Sequence, residues 1–220
     1  MDWDISSDET LARVAAERII GDILSGTLEP GRKLRVIELK QQYGIGASPL
    51  REALLLVTAL GYATGESHRG YRVAAVSRQD LADITMAREV IELGMLGASM
   101  AVPNDEWAIG IVTAMERFRR AVQAAGSAFH ASEVVATTHK ALHAACVAHC
   151  GSPRLVAMQA LLFDQARRYR DLMLQGLQSA EDFISVHEQL VNVILSGDAV
   201  GAAEALRRHL QLTLRDVYPG

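Results

Sequence analysis

Cysteine, aromatic residues and long apolar runs are scarce in this chain of 220 residues, and each scarcity removes a class of protein. Two cysteines, Cys146 and Cys150, are too few for the disulfide framework of a small secreted domain. No apolar run approaches the roughly 18 residues of a membrane span, and the opening MDWDISSDET is acidic, unlike a secretory or organellar signal. A cytoplasmic protein with no membrane partner is therefore expected. Aromatic residues make up 5% of the chain although hydrophobic residues reach 50%, so the core must rest on alanine and leucine, which favours helices. Overall basic charge is lacking too: a net charge of −4 does not announce a nucleic-acid binder.

The charge is unevenly spread, however. Between Arg32 and Arg72 lie seven Lys/Arg (Arg32, Lys33, Arg35, Lys40, Arg51, Arg69, Arg72) against three Glu (Glu38, Glu52, Glu66). A local excess of this kind suits contact with phosphates, the alternative being an ordinary solvated face. The same region has a recognisable order. Residues 11–25 carry apolar positions at helical spacing and stop at Gly26 and Pro30-Gly31. A short helix over 36–43 is broken by Gly44 and Gly46. A third helix over 48–60 opens with Ser48 as N-cap and Pro49 at the first helical position. Residues 62–64 and 71–75 read as strands joined by a glycine-flanked hairpin. This is the order of a winged helix-turn-helix, with the hairpin as wing.

From Ser77 onward no strand period remains. Helices are predicted over 79–100, 104–125, 129–150, 153–174, 180–195 and 199–217, with Ser77, Asn104, Ser152 and Asp198 as caps and glycines as breaks. Short loops between six helices make an antiparallel bundle. The fold class is mainly α: a winged helix-turn-helix over 1–76 and an all-α bundle over 77–220.

Four histidines stand out in the bundle. His139 and His143, at i and i+4, share a helix face. His187 and His209 flank a turn at Ser196-Gly197-Asp198 at nearly equal distance, so antiparallel helices bring them level. Three helices would thus present four imidazoles to one cavity, a donor set suited to a transition metal; the alternative is four satisfied core histidines. His68, His130 and His149 show no such pattern. Cys146 and Cys150 are either additional ligands or small thiols on a buried face.

The stretches ILSGTLEPGRKLRVIELKQQYGIGASPLREALLLVTALGYA and HRGYRVA resemble the DNA-binding domain of the GntR family of bacterial transcription regulators, through SG-x-L-x-PG, SP-x-REAL and RG-x-RVA. The stretches DLADITMAREVIELGMLGASMA, LHAACVAHCGSPRL and VHEQLVNVILSGDAVGAAEALRRHL resemble the ligand-sensing (FCD) domain of the FadR subgroup. The resemblance implies a ligand-responsive regulator, a repressor, that binds a palindromic operator as a homodimer. It implies a metal site at His143, His187 and His209, with His139 where the subgroup has an aspartate. Neutral imidazole in place of carboxylate favours borderline metals, zinc first and nickel second, and a more positive cavity. Small carboxylates are the implied effectors, with Arg88 as a clamp or, alternatively, paired with Glu89 or Glu92 at the surface. For DNA, the helix opening at Ser48 is the recognition helix: Arg51 reads a base edge, Ser48 bonds a phosphate or a base, Arg35 contacts the backbone, and Arg69 and Gly70 form the wing tip. Ala47 stands where many members have arginine, so one base contact is missing.

Two other readings stay open. One is a metal-free regulator whose histidines bind the effector directly. The other is a metalloenzyme with an accessory winged domain, disfavoured because no acid lies between His139 and His143 and Glu188 diverges from His187 on its helix.

Overall fold

A computed structural model describes residues 10–66, 70–102, 104–173 and 179–219. The chain divides into two compact units, Met1–Val76 and Ser77–Gly220.

In the first unit, α1 (Leu11–Leu24), α2 (Val36–Tyr43) and α3 (Ala47–Ala59) pack around Ile19, Ile23, Leu28, Leu50, Leu54 and Val57, all essentially without solvent contact. Beside them lies a sheet of β1 (Lys33–Leu34), β2 (Ala63–Glu66) and β3 (Gly70–Val73) in the order β1-β3-β2, both pairings antiparallel. Strand β1 went unrecognised in the sequence because two residues carry no alternation. It pairs Lys33 with Arg72 and Leu34 with Tyr71, which ties the wing to the segment before α2. Gly44 ends α2 at φ 68, a left-handed conformation that a side chain would strain. The start of α3 differs from the reading: the N-cap is Gly46, and Ser48 and Pro49 are its second and third residues. Proline is accommodated because the first N–H groups of a helix have no partner within it.

The second unit is helical among its described residues: α4 (Arg78–Met100), α5 (Asp105–Ala125), α6 (Glu133–Val147), α7 (Pro153–Met173), α8 (Ala180–Leu195) and α9 (Ala199–Val217). Side chains of Ser77, Asn104, Ser132, Ser179 and Asp198 cap five of them. The helix expected over 129–150 is shorter, because 3-10 segments at 126–131 and 148–150 replace its ends. Helix α4 packs against α7 and α9, α5 against α6 and α8, and α8 against α9. Met95, Leu96, Ile111, Phe118, Leu142 and Leu206 lie in the shared core. None of the described helices is long and apolar enough to cross a membrane.

Candidate functional site

Each unit carries one candidate site. In the first, α2, the turn at Gly44-Ile45-Gly46 and α3 form the helix-turn-helix. Leu50, Ala53, Leu54 and Val57 bury one face of α3, leaving Ser48, Arg51 and Glu52 exposed on the other. No ion pair joins Arg51 to Glu52 among the described residues. Arg35 is the N-cap residue of α2, exposed, with Nη1 2.9 Å from Glu38 Oε1; an exposed pair of this kind contributes little and exchanges readily. Gly70 opens β3 at φ 91. Arg69 and His68 lie outside the described residues.

The second site is inside the bundle. His139 and His143 from α6, His187 from α8 and His209 from α9 place one ring nitrogen each within 4.8 Å of all the others. Nε2 of His139 lies 2.8 Å from Nε2 of His187 and 3.0 Å from Nε2 of His143, which is 3.3 Å from Nε2 of His209. His187 donates its Nδ1 proton to the Phe183 carbonyl at 2.6 Å, which leaves its Nε2 lone pair turned inward. Four ligands about 2.0–2.1 Å from a zinc ion are separated by roughly 3.3 Å in a tetrahedron. The donor set therefore fits a transition metal in type, and three of its six separations, 2.8–3.3 Å, lie near that spacing.

Aromatic rings surround the site. Phe118 lies 4.8 Å from His187, Phe163 5.1 Å from His143, and Phe183 5.1 Å from His139, ring centroid to centroid. The chain has only four phenylalanines; three wall the histidines, and the fourth, Phe129, stacks on Phe183. Sequence reading missed this wall, although four phenylalanines confined to one half of an aromatic-poor chain are a usable signal. Burial lowers the pKa of all four histidines, reinforced in His139, His143 and His209 by neighbouring imidazoles; that of His187 falls to about 4. All four are neutral near pH 7, the form that binds metals.

Arg88 lines the small cavity of about 40 Å³ beside the histidines. Its pairing differs from the surface alternative. Arg88 Nε bonds Glu92 Oε1 at 2.7 Å, and both side chains are buried, leaving one guanidinium nitrogen without a partner. Of the α7 arginines, Arg167 pairs with Glu133 and Asp171, Arg168 with Asp80, and Arg170 faces the histidine cavity. Cys146 is buried in the apolar core with its thiol pushed up to about 12 by burial, and neither cysteine joins the histidine cluster. Glu188, the one acid next to a histidine ligand candidate in sequence, pairs with Arg119 on α5 at 2.9 Å.

A winged helix-turn-helix with a separate helical sensing unit defines a DNA-binding transcriptional regulator. The chain belongs to the GntR family: the model "Bacterial regulatory proteins, gntR family" matches residues 11–73 and the FCD domain model matches residues 83–212. It is 35% identical over 193 residues to the HTH-type transcriptional repressor GlaR of Escherichia coli (strain K12), covering 86% of this chain and 87% of that one. It is also 28% identical over 208 residues to a probable D-xylose utilization operon transcriptional repressor of Paenarthrobacter nicotinovorans, covering 91% and 86%. Among solved structures, E. coli McbR/YncC superposes with a TM-score of 0.74 at 19% identity over 96% of this chain and 99% of that one. A putative GntR regulator from Rhodococcus sp. RHA1 superposes at 0.73 with 17% identity, over 94% and 96%; these two establish the fold alone. The family and these relatives regulate transcription and are not enzymes.

Proposed function

We propose that the protein is a cytoplasmic repressor that binds a palindromic operator as a homodimer, its affinity set by a small carboxylate held at a histidine-bound metal. The observation that carries this reading is the convergence of four imidazole nitrogens on one point beside a buried, incompletely paired Arg88. His139, His143, His187 and His209 would hold the ion, zinc first and nickel second. The ion would supply positive charge beside the carboxylate and, by accepting a ligand beyond the four imidazoles, a Lewis-acid anchor for one of its oxygens. Arg88 takes the carboxylate through its free guanidinium edge, a charge-assisted bond that a dry cavity strengthens. The phenylalanine wall excludes water, and the neutral histidines add no repulsion toward a cation.

On the DNA side, Arg51 is the base-reading residue: it is exposed on the free face of α3, and bidentate arginine–guanine contacts are worth about 1–3 kcal/mol of discrimination. Ser48 and Arg35 contact the backbone, and Arg69 and Gly70 reach the minor groove from the wing. Effector and operator are coupled reciprocally, each changing the other's affinity by the same factor.

Elemental mass spectrometry of the tag-free protein tests the reading, with His143→Ala and His187→Ala as controls. About one transition metal per chain, lost in both variants, is the expected result. No metal, and none taken up on addition, would overturn the metal and leave a regulator that binds its effector through the histidines directly. Operator titration of Arg51→Ala completes the test: sequence discrimination falls, while binding to unrelated duplex at the same salt changes much less.

A further inference from the structure

Helix α7 faces two places at once. Phe163 and Arg170, about two turns apart, both turn toward the histidines. The Phe163 ring lies 5.2 Å from that of His139 and 5.1 Å from that of His143, and Arg170 lines the histidine cavity with its guanidinium carbon 4.8 Å from the Phe163 centroid. Burial, and then the charge of Arg88, lowers the pKa of Arg170 to about 10; Asp171 and Asp164 oppose that shift, so Arg170 stays a cation near pH 7. After burial, which is the larger cause, its charge helps to lower the pKa of all four imidazoles.

The two residues before Arg170 turn elsewhere, since successive side chains on a helix diverge by about 100°. Buried Tyr169 donates its hydroxyl proton to Asp80 Oδ2 and accepts the Ser77 N–H at 3.2 Å, and Arg168 reaches the same Asp80 oxygen at 3.3 Å. Ser77 is the N-cap of α4 and the first residue of the second unit, directly after Val76. Its hydroxyl accepts the Asp80 N–H at 3.1 Å, which is one half of a capping box. The other half ordinarily runs from the carboxylate back to the cap N–H within one helix. Here it passes through the hydroxyl of Tyr169, so the start of α4 depends on where α7 stands. A hydrogen-bonded helical turn in a packed interior moves as a piece, so Arg170 cannot shift far without Tyr169.

We propose that Tyr169 is the positioning residue through which the state of the histidine centre reaches the operator-binding unit. With a cation at the histidines, Arg170 meets like charge, the turn that carries Tyr169 shifts, and the capping box at Ser77 opens where the chain passes from one unit to the other. This rests on the reading given under the proposed function, and adds to it a residue that belongs neither to the histidine cluster nor to the recognition helix.

The test titrates the full chain, metal-free and zinc-loaded, with a palindromic duplex selected from random DNA by the wild type. Tyr169→Phe is compared with Asn104→Ala, which deletes the cap of α5 at the Trp107 N–H and serves as a control of similar stability cost. Zinc should change the operator affinity of wild type and of Asn104→Ala by about fivefold or more, and should quicken hydrogen exchange in the first turn of α4. Metal-free Tyr169→Phe should already match zinc-loaded wild type in operator affinity and in exchange at that turn. Zinc should change neither further, although the variant binds it at the wild-type stoichiometry. A zinc response retained in Tyr169→Phe would overturn the inference. So would its loss in Asn104→Ala, the mark of a generally loosened bundle, or a wild-type operator affinity indifferent to bound zinc. Failure of the wild type to take up zinc, or to select any duplex, would instead overturn the proposed function, and this inference with it.

Discussion

The two units have opposite interiors. In the first, every buried side chain among the described residues is apolar or aromatic, from Ala15 and Ile19 to Leu54 and Val73. Among the described residues, all nine buried polar or charged ones lie in the second: Thr85, Arg88, Glu92, Ser99, His139, His143, Gln159, Arg168 and His187. An apolar core holds its helices rigidly at no electrostatic cost, whereas a polar core is stabilised only where each buried group finds a partner, within the protein or in a ligand. The difference separates a unit selected for shape from one selected for what it binds.

The largest expected effect breaks the apolar side of this comparison. Leu54 is fully buried, so Leu54→Ala should lower the stability of the first unit by about 2–5 kcal/mol, read by calorimetry of the full chain. In the metal-free second unit, replacing His139 and His187 together by leucine should leave the unfolding temperature unchanged or raise it, since buried polar groups give way to apolar ones. A fall comparable to that of Leu54→Ala would mean that the histidines already satisfy one another without a metal.

Metal removal is next in size. A ligand at a thousand times its Kd stabilises the state it binds by about 4 kcal/mol, so chelation should lower the unfolding of the second unit by that order and leave the first unit's transition in place. If both transitions moved equally, the metal would not be confined to the histidine centre.

Acid should sharpen the contrast in the metal-free protein. Burial holds the folded pKa of His187 at about 4, whereas an unfolded histidine titrates near 6.5. Between those values the unfolded chain binds more protons, so stability declines as pH falls from about 6.5 to about 4, and below that His187 contributes no further loss. By pH 4.5 this one residue removes on the order of 2–3 kcal/mol. His139, His143 and His209, also lowered by burial, act in the same direction. A first-unit transition equally sensitive over this range would contradict the assignment.

How much of this was legible in the sequence follows from which residues carry periodic or spacing information. The i, i+4 histidine pair and the level pair across the Ser196–Asp198 turn were readable because helical geometry fixes both relations within one hairpin or one turn. The winged order was readable from glycine and proline punctuation. Strand β1 was not, since two residues have no period. Nor was the start of α3, where Ser48 and Pro49 fit a cap equally well one or two positions away from their true places. The destination of each arginine was the least legible. Arg167, Arg168 and Arg170 are neighbours in sequence, yet helical rotation sends one to Glu133, one to Asp80 and one to the histidines. Whether a charge is neutralised depends on partners dozens of residues away, which local pattern does not encode.

The smallest effect concerns a polar contact that is complete rather than waiting for a ligand. Tyr169 on α7 is fully buried, and its hydroxyl donates to Asp80 while accepting the Ser77 N–H at 3.2 Å. It thereby holds the N-terminal turn of α4, where the Ser77 hydroxyl also caps Asp80 N–H at 3.1 Å. Tyr169→Phe keeps the ring in its packing and deletes only the hydroxyl, and Asp80 retains Arg168 at 3.3 Å. A loss of about 1 kcal/mol is expected, the ordinary net worth of such a bond. Hydrogen exchange should quicken in the first turn of α4 and stay unchanged in α8 and α9, because the contact is local. Unchanged exchange at that turn would mean that the Ser77 cap alone holds it. Faster exchange throughout the bundle would mean that satisfied and unsatisfied polar groups form one network, and the line drawn here between them would have to be withdrawn.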